Sequence, residues 1–107
     1  MKIYLSGKIT GLPLDEAQRI FNQAEEFVKG QLGDIYPDIE VINPMKEVPF
    51  KEGFEREDYM AKDIMILLQC DAIYMLPGWQ ESKGARLEHK IAFEAKKALM
   101  FGGIGIN

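Results

Sequence analysis

The order of elements predicts an α/β fold with a parallel sheet covered on both faces. Three observations carry this expectation. Short apolar runs recur along the chain, each continuous rather than alternating, and each stops at turn-forming residues. Segments with an apolar residue every three or four positions separate those runs. Neither an internal repeat nor a low-complexity linker interrupts the 107 residues, which suffice for one domain and not two. Right-handed crossovers then give a small Rossmann-like or flavodoxin-like three-layer sandwich with a parallel sheet of four to five strands, a single domain over residues 1–107.

"KIYLSG" is a buried strand that stops at Ser6-Gly7. "LDEAQRIFNQAEEFVKGQLG" places Ala17, Ile20, Phe21, Ala24, Phe27, Val28 and Leu32 on one helical face and closes at Gly33. "IEVINP" is a second strand ended by Asn43-Pro44, and residues 45–55 are expected to form a loop. "EREDYMAKDIMILLQ" is a helix with Tyr59, Met60, Ile64, Leu67 and Leu68 on one side. "DAIYMLPG" is a third strand broken at Pro77-Gly78, followed by a helix from "SKGARLEHKIAFEAKKA" and a fourth strand, "ALMFGG". In such folds ligands bind beyond the carboxyl ends of the strands. The turns "SGKITGLP", "NPMKEVPFKEG" and "PGWQESKGA" are therefore where a site is expected.

Composition narrows the partners. A net charge of −4, with basic residues interleaved with acidic ones, argues against a nucleic-acid polymer. Apolar runs fall short of the roughly 20 residues a membrane-spanning helix needs, and "MKIYLSG" turns polar too early for a secretory leader. The single cysteine, Cys70, excludes an internal disulfide and agrees with a cytoplasmic setting. It reads as a small core residue rather than part of a Cys–His pair or zinc site, so neither a metal nor a cofactor is expected.

Two carboxylates stand out. On the last helix, Gly84, Leu87, Ile91, Ala95 and Ala98 define an apolar stripe with Ala92 at its edge, opposite Lys83, Arg86, Lys90, Glu94 and Lys97. Glu88 falls on the buried side, between Ala95 and Ala92, near the helix start. It is either a structural ion pair or a group aimed at a ligand, where the helix dipole favours negative charge. A reciprocal capping box is excluded because Ala85 stands three residues after Ser82. Asp63 borders the apolar face of the middle helix through Tyr59, Met60 and Leu67, and is either a satisfied structural carboxylate or a second functional one. Two inward carboxylates facing one cleft are the minimal equipment for glycosidic-bond chemistry. In "SGKITG", Gly7 and Gly11 permit close backbone approach, and Ser6, Lys8 and Thr10 supply donors. Ser6, Gly7, Lys8 and Ile9 are its candidate binding residues; the alternative is a plain polar turn. His89 is expected at the surface, and Trp79 as a lid or interface aromatic able to stack on a base.

Taken together, "IYLSGKITG", "KDIMILLQCDAIYML" (Asp63 and, eight residues on, Asp71) and "SKGARLEHKIAFEAKKA" (Ser82, Gly84, Glu88) resemble the nucleoside 2-deoxyribosyltransferase-like superfamily, and within it a compact phage and bacterial branch. The resemblance implies that Glu88 attacks C1′ of a 2′-deoxynucleoside and displaces the base. The sugar then passes to another base or to water. It further implies that Tyr4 positions Glu88, and that Asp63 holds the base or assists its departure. Ser82 matches the position that contacts a 5′-phosphate in relatives acting on monophosphates, and with Lys8 it favours a phosphorylated substrate. Gly84 belongs to the same motif. The implied partner is a small-molecule nucleoside or nucleotide, and the implied assembly a homo-oligomer, dimer or larger. The alternative is a binding or sensor module that keeps the fold without turnover. "LPGWQE" departs from the acidic loop of the transferases, and "GGIGIN" from their longer tail.

Overall fold

The computed structural model describes residues 1–102; the last residue of the expected fourth strand, Gly103, and the residues after it in "GGIGIN" lie outside the described residues. Four strands form one sheet, β1 (Lys2–Ser6), β2 (Glu40–Ile42), β3 (Ala72–Met75) and β4 (Ala98–Phe101). Their order is β2-β1-β3-β4 and every pairing is parallel, with Tyr4 opposite Ile42 and Ile73, and Ser6 opposite Met75. Helix α1 (Leu14–Leu32) connects β1 to β2, α3 (Arg56–Leu68) leads into β3, and α4 (Lys83–Glu94) connects β3 to β4. The expected three-layer α/β sandwich is thus present, with four strands.

Side-chain alternation along the strands divides the core. Ile3, Leu5 and Ala72 pack with Phe21 and Val28 of α1 on one face. Tyr4, Ile73 and Met75 pack with Leu67 of α3 and with Ala85 and Ala92 of α4 on the other. Ser6 stands two residues after Tyr4 and so faces the same side as α3 and α4. Cys70 is a buried core residue, as its position predicts, and its thiol donates to the Ile66 carbonyl. Asp71 ties the lower end of the sheet together by accepting from the Lys2 amide at 2.8 Å.

Three local expectations need correction. The expected loop 45–55 begins with a one-turn helix, α2 (Pro44–Glu47), with Asn43 as its cap and Pro44 at its first position. Those are the residue types that favour a helix start as well as a strand end. Gly33 closes α1, as expected, and does so in right-handed geometry, φ −61°. On α4 the sheet-facing stripe is Ala85, Glu88 and Ala92, while Leu87 is 42% exposed and Ala95 also faces solvent. Small alanines let the helix sit close to the sheet, so Leu87 and Phe93 are turned outward while Ile91 packs at the edge of the core. Ala98 belongs to β4 rather than to α4. On α3, Leu68 is likewise exposed.

A buried carboxylate that the sequence reading passed over fixes the wall between β2 and α2. Glu25 of α1 accepts from Lys29 at 2.8 Å, from Lys46 at 3.0 Å and from Asn43 at 3.2 Å. Burial alone would raise its pKa, but hydrogen bonds from Lys29, Lys46 and Asn43 outweigh it and hold the carboxyl down to about 2. A depressed carboxyl contributes stability above its unfolded value, lost as pH falls through its folded one. Glu25→Gln should therefore cost about 1–3 kcal/mol at pH 7 and almost nothing near pH 2. Urea denaturation at the two pH values checks this.

Candidate active site

A cavity of about 270 Å³ opens beyond the carboxyl ends of β1, β2 and β3. All three expected turns contribute to it. Gly7, Ile9 and Thr10 come from the turn after β1, and Pro44, Met45, Val48, Phe50 and Phe54 from the segment after β2. Ser82, Gly84, Ala85 and Glu88 come from the start of α4. Helix α3 closes it with Arg56, Tyr59, Met60 and Asp63, which recur every three or four residues and so share one face.

Glu88 is the best-held group in the site. It is 6% exposed, with Oε2 accepting from the Tyr4 hydroxyl and Oε1 from the Ser6 hydroxyl, each at 2.6 Å. The two donors share one face of β1, so a single strand register aims both at the carboxylate. Burial raises the pKa of Glu88, while the hydrogen bonds from Ser6 and Tyr4 oppose that rise by favouring the charged form. The Tyr4 phenol is itself pushed well above its ordinary value, by burial first and by the charge of Glu88 second. It therefore remains a proton donor to Glu88.

Asp63 has the opposite surroundings. Its Oδ1 is buried and has no hydrogen-bond partner among the described residues. Burial, and then the neighbouring charge of Glu88, raise its carboxyl to about 7. Two carboxylates facing one cavity share their protons. Glu88 has two hydroxyl donors and Oδ1 of Asp63 has none, so when the pair holds one proton the hydrogen bonds favour the charge on Glu88 and the proton on Asp63. That is the arrangement of one anionic carboxylate beside one neutral acid.

The other expected residues divide. Gly7, Ile9, Ser82 and Gly84 line the cavity. Ser82 also caps α4 by accepting from the Ala85 amide at 3.1 Å, which is half of the capping box that Ala85 otherwise rules out. Ser6 and Tyr4 reach the cavity only through Glu88. Lys8 is not a lining residue; it points toward Glu81, at 4.0 Å between half-exposed and exposed side chains. Trp79 is also absent from the lining and stacks on His89, ring centroids 4.7 Å apart, with Phe101 at 6.0 Å. His89 is consequently half-buried rather than a free surface residue. Sequence periodicity passed over the apolar wall of Met45, Val48, Phe50 and Phe54, because irregular segments carry no period. Arg56 is one charge among several at a helix start and carries no signal of its own in the sequence. Among the described residues no group of three or more His, Cys, Asp or Glu side chains could hold a metal ion, and no helix is long and apolar enough to cross a membrane.

Removing one of the two donors tests how Glu88 is held. Tyr4→Phe is expected to raise the Glu88 pKa further. The acidic limb of any Glu88-dependent activity should then move to higher pH, with the rate at neutral pH falling roughly tenfold. A pH–rate profile of the two proteins measures both.

A 2-desoxiribosyltransferase from Leishmania mexicana is similar in structure, with a TM-score of 0.65 over 94% of this chain and 22% sequence identity. This chain spans 62% of that protein's length, and the likeness is one of fold. No curated protein matches the sequence. The profile of a family described as a domain of unknown function, DUF4406, matches residues 1–101. The chain therefore belongs to the DUF4406 family and carries it on a deoxyribosyltransferase-like α/β fold.

Proposed function

We propose that the protein cleaves or transfers the N-glycosidic bond of a 2′-deoxynucleoside or its monophosphate through a covalent Glu88 intermediate. The observation that carries this is the pairing of a doubly hydrogen-bonded Glu88 with an unpartnered, raised-pKa Asp63 in one cavity. An Oε of Glu88 forms a bond to C1′ while the C1′–N bond breaks and its electron pair leaves with the base. Asp63 gives its proton to the departing base nitrogen. Water or a second base then attacks C1′, the Glu88–C1′ bond breaks, and the proton lost by the incoming group returns to Asp63. Gly7, Ile9, Ser82 and Gly84 contact the substrate, and the apolar wall after β2 receives the base.

Incubation with each of the common deoxynucleosides and their monophosphates, with and without an acceptor base, tests this through chromatography of free base. Base release from at least one of them is expected. Thermal stabilisation by a nucleotide without any base released would instead assign the fold to binding alone.

A further inference from the structure

Beside the cavity lies a second groove of about 190 Å³, lined by Arg56, Glu57, Met60, Lys83, Gly84 and Leu87. Arg56, Met60 and Gly84 line both spaces, so the two adjoin. Neither volume alone reaches the roughly 300 Å³ at which ligand pockets begin; joined, they do. At the junction Gly84 lies against the flexible end of Met60, whose methyl a Cβ there would meet at 2.9 Å.

Charge is separated along this joined space. Arg56 is the first residue of α3 and Lys83 the first of α4, so each cation sits at the positive end of a helix dipole. Asp63 lies about 10 Å deeper along α3, and Glu88 about 7.5 Å deeper along α4, from the helical rise per residue. Neither Arg56 nor Lys83 is within 4.0 Å of a carboxylate among the described residues, although Glu57 also faces the groove. The acidic deep end suits the reacting sugar–base bond, and the basic outer end suits an anion carried at a distance from it. Lys8, the lysine singled out from the sequence for an anion, is turned away toward Glu81.

We infer that the phosphate chain of a nucleotide leaves the cavity past Arg56 and ends at Lys83 in the α3–α4 groove, so that the preferred ligand is a nucleoside diphosphate or longer rather than a monophosphate. This rests on the proposed function for the class of ligand and goes beyond it in the length of the phosphate chain. Arg56 meets the phosphate nearest the sugar, and Lys83 the next one along.

The test is binding calorimetry on the Glu88→Gln protein, which holds the ligand without turnover, titrated with a deoxynucleoside and its 5′-mono- and 5′-diphosphates for each base. Each added phosphate should tighten binding roughly tenfold at low salt, less at high salt. Lys83→Gln should abolish the gain of diphosphate over monophosphate, Lys83→Arg should restore it, and Arg56→Gln should remove the gain of monophosphate over nucleoside. A diphosphate that binds no tighter than the monophosphate, or a gain that survives Lys83→Gln, overturns the inference. If the wild-type protein still releases base while that series is flat, only the chain-length inference fails. If no nucleoside or nucleotide binds, both fail.

Discussion

Replacing Glu88 by Gln is expected to lower base release by at least about 10³-fold while leaving the fold in place. The magnitude follows from the role: removal of a nucleophile eliminates the covalent route, and such losses are among the largest single substitutions produce. The stability expectation follows from burial. Glu88 is a desolvated carboxylate whose charged form is disfavoured by the protein interior and retained by the Tyr4 and Ser6 hydroxyls. A Gln of the same shape is uncharged but accepts from only one of those hydroxyls well. The two effects oppose each other, so the change in unfolding free energy should stay within about 2 kcal/mol. Chromatography of free base and a thermal melt of the two proteins check both halves.

Asp63→Asn has the second large effect, and it is a pH effect. The carboxyl rises from its ordinary 3.8 to about 7 on folding, chiefly through burial and then through the charge of Glu88. Between those values the folded protein binds a proton that the unfolded chain has released, so stability falls as pH rises from about 4 to about 7. Water in the open cavity screens part of this, leaving about 1–3 kcal/mol across the window. The Asn variant lacks that slope and should be the more stable protein at pH 8, although it has lost a carboxyl group. Its activity should move the other way. Without a proton for the departing base, turnover should fall about 10²-fold, and the alkaline limb near pH 7 should disappear from the profile. Urea midpoints at pH 5 and pH 8, with a pH–rate series, separate the two outcomes.

Both predictions depend on how one short strand is built. Tyr4 and Ser6 differ by two positions, and the strand period alone brings them to one face, although "KIYLSG" as an apolar run gives no hint of what that face meets. The parallel sheet, the single core-forming cysteine and the location of the cavity at the three turns were legible from apolar runs and breakers. The inward direction of Glu88 was legible from helical period, but its neighbours were not. Weighting the stripe toward Leu87 misplaced it, since close helix–sheet packing selects Ala85 and Ala92, with Ile91 packed at their edge. Asp63 could be placed at the edge of an apolar face, yet the absence of a partner for Oδ1 depends on what α4 and the segment after β2 bring near it. Arg56 and Lys83 looked like ordinary solvated charges because sequence does not show that two helix starts converge on one groove. Trp79 drew interest as an aromatic in a glycine-proline turn, but its ring is taken up by His89 and Phe101.

The central claim is that Glu88 bonds to the sugar during turnover. Acid-quenched intact-mass spectrometry after mixing with a base-releasing substrate tests it most directly, followed by peptide mapping of the adduct. A protein heavier by one deoxyribosyl group, together with any 5′-phosphates the substrate carries, with that mass on the Glu88 peptide and absent from Glu88→Gln, is the predicted result. Base released at full rate by Glu88→Gln, or an adduct mapped to another residue, would contradict the account.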